Sequence, residues 1–340
     1  MPVINRIADF AQDMTAWRKH LHAYPELRFE CYETAKFVVK MLQEFGVDEI
    51  HEGIATTGIV AIINGKETGP TIGLRADMDA LPMQEETGLD YASTISGKMH
   101  ACGHDGHVTM LLGAARYLAE TRNFAGRVAL IFQPAEEDGG GGLVMVQEGS
   151  LDRFDIKEVY ALHSGPGDAA GSFYTTPGPI MAAADTFHIH ITGVGGHGAY
   201  PYETADPVIA AVGIVSAIQT IVSRNNKAYE DLVVSVTQIH TGTADNVVPE
   251  KAYINGTVRT LAKSTQTMVQ RRLEQIVAGH ADAYNVTAVL EYVPGYPATI
   301  NDPDKAAFAA SVAREITPLV DDARQYEMGA EDFSYMLEQR

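Results

Sequence analysis

Between Met99 and His107 the chain places His100, Cys102, His104, Asp105 and His107 within eight positions. Thiolate, imidazole and carboxylate together are the ligand set of zinc and its borderline neighbours. Side chains two apart in an extended loop point the same way, so Cys102 and His104 are placed to hold one ion. Residue by residue, the stretch also fits a helix N-terminus with a buried thiol and capping polar groups; the density of donors favours a metal. A Cys–His nucleophilic pair fits less well, because signatures of that chemistry place the base far away in sequence. A second cluster, QPAEE, holds Glu136 and Glu137 directly after an apolar run. Adjacent side chains on an extended backbone face opposite ways, so one carboxylate can bind an ion while its neighbour accepts a proton. That division suits metal-assisted hydrolysis, in which an ion lowers the pKa of water to about 7 and a carboxylate takes the proton. On its own the pair also fits a solvated acidic turn. The glycines at 139–142 are no phosphate loop, since the Lys-Ser/Thr that completes one is missing.

These clusters need elements to hold them. Apolar residues recur at helical spacing through Phe10, Met14, Trp17 and Leu21, and through Phe37, Met41 and Phe45 before Gly46. A third helix is expected from about 108 to 120. Short apolar runs at GIVAII, TIGL, RVALIF and EVYAL read as strands bounded by turns. Strands alternating with helices predict an α/β domain: a mostly parallel sheet with helices on both faces. Three of the four strands run into a polar cluster, at RADMD, QPAEE and His163. Ligands bind at the carboxyl ends of strands in such sheets. From Asp185 the pattern changes to DTFHIHIT, then a helix with Asp206 as N-cap and Pro207 behind it, two strands, a long helix and a last strand. That order is β-α-β-β-α-β, the split pattern of ferredoxin-like domains. The expected organisation is a discontinuous domain, 1–182 and 294–340, interrupted by an insert at 183–293.

Hydrophobic residues make up 46% and charged residues 20%, which excludes a disordered or fibrous chain. Lys and Arg number 25 against 44 Asp and Glu, a net charge of −19. Nucleic acids and anionic membrane surfaces reward the opposite balance, so neither is expected as a partner. Cys31 and Cys102, the only cysteines, imply no disulfide framework and a reducing compartment. The N-terminus has no apolar signal region, and the longest apolar stretch, Pro207 to Val222, is too short for a membrane span. A soluble cytoplasmic protein is expected.

The chain resembles the metallo-aminoacylase and carboxypeptidase-G-like peptidases, in their amidohydrolase branch of hippurate hydrolases and auxin–amino-acid conjugate hydrolases. The matching stretches are RKHLHAYPEL, LRADMDALP, MHACGHDGH, QPAEE, ALH, GVGGHGAYP, DNVVPEKAYINGTVRT and MGAEDF, in the family's order over nearly the whole sequence. The resemblance implies a two-zinc peptidase-like catalytic domain holding two divalent ions (Zn, Mn, Co or Ni), and an insert that serves as lid or dimerisation domain. It places metal ligands on Cys102, His104, Glu137 and His163, and the general base on Glu136. The spacing of the two glutamates alone leaves open which is base and which is ligand. Asp79 would orient a ligand as a carboxylate behind the ion, the usual partner of a metal-bound imidazole. His197 would reach the partner subunit's site and stabilise the oxyanion, and Asn246 and Arg259 would hold the substrate's carboxylate.

The implied reaction cleaves an N-acyl amino acid, acetyl, benzoyl or similar, into a carboxylic acid and an amino acid, in a homodimer. Two alternatives stand: a dipeptidase or aminopeptidase of the same family, and an inactive metal-binding dimeric relative. His188, His190, His240 and His280 read as structural or surface histidines, and His20 and His22 as packing residues near the N-terminus. Family members carry a last metal-ligand histidine near the C-terminus, and no histidine follows His280 here. The expectation is that a C-terminal segment bearing it is missing from this sequence.

Overall fold

An unbroken apolar run rich in β-branched residues suits a strand buried on both faces, and Gly58–Asn64 is such a run. In the computed structural model, which describes residues 2–323 and 325–340, it lies inside a five-stranded sheet. The elements through that sheet are helices α1 (Pro2–Asp9), α2 (Ala11–Ala23) and α3 (Tyr32–Phe45), strands β1 (Glu49–Ile54), β2 (Gly58–Asn64) and β3 (Glu67–Asp77), helix α4 (His104–Thr121), strand β4 (Ala125–Gln133), helices α5 (Gly141–Gln147) and α6 (Ser150–Arg153), and strand β5 (Ile156–Ala161). Side chains of β2 leave alternately to two cores. Ile59, Ala61 and Ile63 pack with Leu21, Val38, Leu42 and Leu112 of α2–α4. Val60 and Ile62 pack with Met145 and Leu151 on the other face. Each such buried aliphatic side chain contributes about 1.5–3 kcal/mol.

The sheet runs β1-β2-β4-β3-β5 and is mixed, which corrects the expectation of a mostly parallel one. Only β4, β3 and β5 are parallel; β1 with β2, and β2 with β4, are antiparallel. The strand missing from the sequence reading is β1, EIHEGI, whose two isoleucines stand four apart among polar residues and glycine and give little strand-period signal. Ala55 and Thr56 follow it at φ 48° and 75°, a tight reversal that can join only antiparallel strands. The parallel trio brings the carboxyl ends of β3, β4 and β5 to one edge of the sheet.

Helix termini follow local chemistry. Gly46 ends α3 in the left-handed region at φ 72°. The Glu26 carboxylate accepts the N–H groups of Glu33 and Thr34 at the start of α3, where the preceding residue supplies no cap. Helix α4 begins at His104, so the cysteine–histidine cluster runs into its first turn, four residues ahead of the expected start.

Contacts divide the chain into Met1–Tyr174, Ala307–Asp321 and Asp332–Arg340 as one unit, and Thr175–Ala306 with Asp322–Glu331 as another. In the first unit, β6 (Phe173–Tyr174) pairs in parallel with β15 (Val320–Asp321), and the short helix α10 (Ser334–Leu337) adds Met336 to the core with Val60 and Ile62. The second unit contains β7 (Gly178–Met181), β8 (Ala183–Thr192), β9 (Gly196–His197), α7 (Pro207–Thr220), β10 (Leu232–Thr241), β11 (Val247–Val248), β12 (Lys251–Thr260), α8 (Lys263–Tyr284), β13 (Thr287–Val293) and β14 (Thr299–Asn301); α9 (Pro303–Arg314) leads back to the first. Its main sheet is antiparallel in the order β10-β12-β8-β13, the arrangement of a split βαβ domain. Phe187, Ile189 and Ile191 of β8 share a core with Ile214 and Ile218 of α7 and Leu273 and Ile276 of α8. The N-cap of α7 is Asp206, whose side chain accepts from Val208 N at 2.8 Å. Together with its continuation to Asn225 this helix is long and apolar enough, by composition, to cross a bilayer, but its inner face is core.

Candidate metal centre

Four segments meet where the parallel strands end. β3 runs into Asp77 and Asp79, and two residues past β5 stands His163. α4 opens with His104, behind Gly103 at φ 101°, where a Cβ would come within 2.5 Å of Ser164 Oγ. β4 is followed by a turn in which Ala135 has φ 58°, and Glu136 and Glu137 come next. The left-handed Ala135 removes the extended geometry in which neighbouring side chains diverge. Both carboxylates reach the same imidazole: His104 Nε2 is 3.9 Å from Glu136 Oε2 and 3.8 Å from Glu137 Oε1.

Hydrogen bonds fix which ring nitrogens are available. His104 Nδ1 lies 2.8 Å from the Asp79 carbonyl oxygen, which can only accept, so Nδ1 is protonated and Nε2 is the nitrogen left to face an ion. His163 donates through Nδ1 to the Ser164 carbonyl at 2.8 Å by the same logic, and its Nε2 sits 3.3 Å from Cys102 Sγ. The donor atoms of Cys102, His104 and His163 lie within 4.8 Å of one another, as do those of His104, Glu136 and Glu137. His104 Nε2 and Glu137 Oε1 are buried with no hydrogen-bond partner among the described residues. Buried polar atoms left bare are costly, and here a ring nitrogen and a carboxylate oxygen stand 3.8 Å apart in a space lined by sulfur, nitrogen and oxygen donors. Two overlapping donor groups sharing His104 form a dinuclear metal-binding site, and the residues present fit divalent ions.

Asp79 organises this arrangement through contacts other than the expected one between its carboxylate and a ring. Its carboxylate accepts the backbone N–H groups of Glu136 at 2.9 Å and Glu137 at 3.2 Å. The bond to the His104 ring comes from its carbonyl oxygen instead.

The electrostatics show an excess of negative charge. Burial pulls the His104 imidazole down, but Asp77, Asp79 and Cys102 more than reverse it and push it up to about 12. Burial raises Glu137 against the pull of His104, and the hydrogen bond with Cys102 raises His163. Burial would raise Asp77 too, yet Arg75, His104 and His107 together hold it well below the usual carboxylate range. His100, buried with neither ring nitrogen bonded among the described residues, is lowered to about 4 by desolvation.

Sequence reasoning missed the network behind these donors. Arg75, nearly fully buried, donates to Asp77 at 2.7 Å, to Gln133 at 2.9 Å and to Asp332 at 3.0 Å. Asp332 also accepts from Gln133 and from Gly142 N. The signal available was the run of polar residues at strand ends, in RADMD and QPAEE, whose pairing a sequence does not specify. His22, expected to support packing, is bonded to Asp105 at 2.8 Å and to Glu85 at 3.3 Å.

His197, Asn246 and Arg259 belong to the second unit. His197 lies on β9 opposite Val247 of β11, its Nδ1 accepting from Ala199 N at 3.1 Å. Gly198 N donates to the Asn246 carbonyl at 2.8 Å, next to the short ladder that carries His197. Arg259, on β12, donates to Thr257 Oγ1 and to the Val258 carbonyl, and has no carboxylate partner among the described residues. Burial lowers its pKa, opposed by Asp185.

The family model described as Peptidase family M20/M25/M40 matches residues 73–340. Thermostable carboxypeptidase 1 of Saccharolobus solfataricus is 37% identical over 99% of this chain and 87% of its own length. The N-acyl-L-amino acid amidohydrolase of Geobacillus stearothermophilus is 42% identical over 88% of this chain and 80% of its own. Among solved structures, a dinuclear metal binding peptidase of the M20 family from Bacillus subtilis superposes with a TM-score of 0.85 at 34% identity, covering 98% of this chain and 87% of that one.

Proposed function

The chain belongs to the M20/M25/M40 peptidase family, and from that premise we propose that it cleaves N-acyl amino acids, with an acetyl, benzoyl or similar acyl group, into a carboxylic acid and an amino acid. It is a metal-dependent hydrolase with an amidohydrolase-type mechanism on N-acyl-amino-acid-like substrates. The observation that carries the assignment of roles is the pair of buried metal-donor atoms without a partner among the described residues, His104 Nε2 and Glu137 Oε1, 3.8 Å apart, with the Glu136 carboxylate 3.9 Å from the same nitrogen. In this reading Cys102, His104, Glu137 and His163 hold two ions, drawn from Zn, Mn, Co and Ni by availability. When bound, the ions supply Lewis acidity that polarises the amide carbonyl and acidifies water near neutral pH. Glu136 takes the proton from the attacking water and delivers it to the leaving amine. Asp79 keeps the two glutamates in place through their backbone N–H groups.

Arg259, a half-buried cation without an acidic partner among the described residues, is the group that recognises the substrate's carboxylate, with Asn246 beside it in the reading. His197 stabilises the oxyanion from the partner subunit. A homodimer through the second unit is supported by its sheet, which ends in β10 with Ile239 exposed, and by Ile209 and Val212 exposed on α7. An open sheet edge is a template for pairing with a second copy. Cytoplasmic residence remains part of the proposal, supported by two free cysteines.

Glu136→Gln tests the mechanism. Turnover of N-acetyl and N-benzoyl amino acids should vanish while metal content stays near that of the wild type; near-normal turnover would sink the role of Glu136. The carboxypeptidase relative favours a second reading, in which peptides are the substrates. A panel of N-acyl amino acids and free-amine dipeptides, run with each metal restored to a chelated sample, separates the two.

A further inference from the structure

We propose that His107 is the positioning residue that orients His163, and is not itself a metal ligand. By distance alone it qualifies as a ligand, since donor atoms of Asp77, His104 and His107 also lie within 4.8 Å of one another, all buried. Its hydrogen bonds say otherwise. The Ser164 backbone N–H donates to His107 Nε2 at 2.9 Å, so that nitrogen presents its lone pair to an amide. The proton is therefore on Nδ1, which donates to Asp77 Oδ1 at 2.6 Å. No lone pair is left for an ion.

Both ends of this link are anchored. Asp77 is held through its other oxygen by Arg75, which Gln133 and Asp332 fix in turn. Ser164 is gripped at its N–H by His107 and at its hydroxyl, which donates to the Cys102 carbonyl at 3.2 Å. The Ser164 carbonyl accepts from His163 Nδ1 at 2.8 Å and so turns Nε2 of that ring toward Cys102. The His107 ring also stands edge-on to the His163 ring, with centroids 4.6 Å apart. The path runs Arg75, Asp77, His107, Ser164, His163: a strand end sets the orientation of a side chain on a loop after another strand. Partners behind a ligating histidine commonly change metal affinity by 10- to 100-fold when removed.

The inference rests on the reading of His163 as a ligand, and the variants separate the two. Zn affinity of the full-length protein is measured by competition with a chromophoric chelator. His107→Asn keeps a donor for Asp77 but puts no acceptor near Ser164 N–H, and should weaken Zn binding by about 10- to 100-fold. His107→Gln places an amide oxygen near the lost Nε2 and should recover most of that loss. His163→Ala should weaken binding at least as much as His107→Asn. Wild-type affinity in His107→Asn alongside a weakened His163→Ala overturns the positioning role, as does equal loss in the Asn and Gln variants. Unchanged affinity in His163→Ala instead refutes its role as a ligand. Should the variants fail to fold, ¹⁵N-histidine NMR of the Zn-loaded wild type gives the tautomer directly: Nδ1–H with a bare Nε2 supports the proposal, and Nε2–H or a metal-shifted Nε2 overturns it.

Discussion

Replacing Arg75 with methionine removes a cation held between two carboxylates, Asp77 at 2.7 Å and Asp332 at 3.0 Å, both with fully buried side chains. Breaking a buried pair by deleting one partner costs about 3–5 kcal/mol, because the charge left behind is neither hydrated nor neutralised. For a unit of roughly 200 residues that corresponds to a fall in Tm of about 6–20 °C. The pH dependence gives a sharper signature. In the wild type the folded-state pKa of Asp77 is depressed. Its contribution is therefore present above the unfolded pKa of about 3.9 and is lost as pH falls through the lower folded value. In the variant, burial acts on Asp77 without Arg75 and its folded pKa rises. Protonation then favours the folded state, so stability from this group is fully present below about pH 4 and is lost as pH rises through the raised value. The deficit of Arg75→Met should be largest at neutral pH and shrink toward pH 4–5. Differential scanning calorimetry of the metal-saturated proteins across that range is the assay. A Tm within about 2 °C of the wild type at pH 7, or a deficit that does not change with pH, refutes the reasoning.

Metal uptake should release protons near pH 7.5, because His104 is pushed up to about 12 in the metal-free pocket and must be neutral to ligate. Affinity accordingly falls as pH is lowered; calorimetric titrations in buffers of different ionisation enthalpy measure the release, and buffer-independent heats count against it. Arg259→Ala should raise KM for N-acyl amino acids roughly 10- to 150-fold, the loss of a charged hydrogen bond, and leave the corresponding acyl amines without a carboxylate nearly unaffected. An equal effect on both substrates would assign Arg259 a structural role. Ile239→Lys puts a charge on the open edge of β10 and should turn a dimer into a monomer in analytical ultracentrifugation; an unchanged sedimentation coefficient removes that edge from the interface.

Much of the local structure is legible in the chain. The alternation through Phe187, Ile189 and Ile191, the Asp206 N-cap and the Gly46 stop are each encoded within a turn or two of where they act. The donor-rich stretches around Cys102, Glu136 and His163 were legible as chemistry, because side-chain type decides what a group can bind. β1 was not: its two isoleucines are separated by polar residues and leave no short apolar period, although its pairing makes the sheet mixed. The start of α4 was also displaced, since polar residues in a first turn resemble a loop.

What the sequence determined by itself is the stock of local elements, the donor residues and the family pattern that orders them. Only the tertiary structure decided which nitrogen of each histidine is free, that Glu136 and Glu137 converge on one imidazole, and that Asp332 steadies Arg75 from 257 positions away. The physical reason is range. Periodicity and capping act through a few consecutive bonds. Hydrogen-bond partners are settled only when β3, β4 and β5 align their carboxyl ends and leave each buried polar atom one set of neighbours.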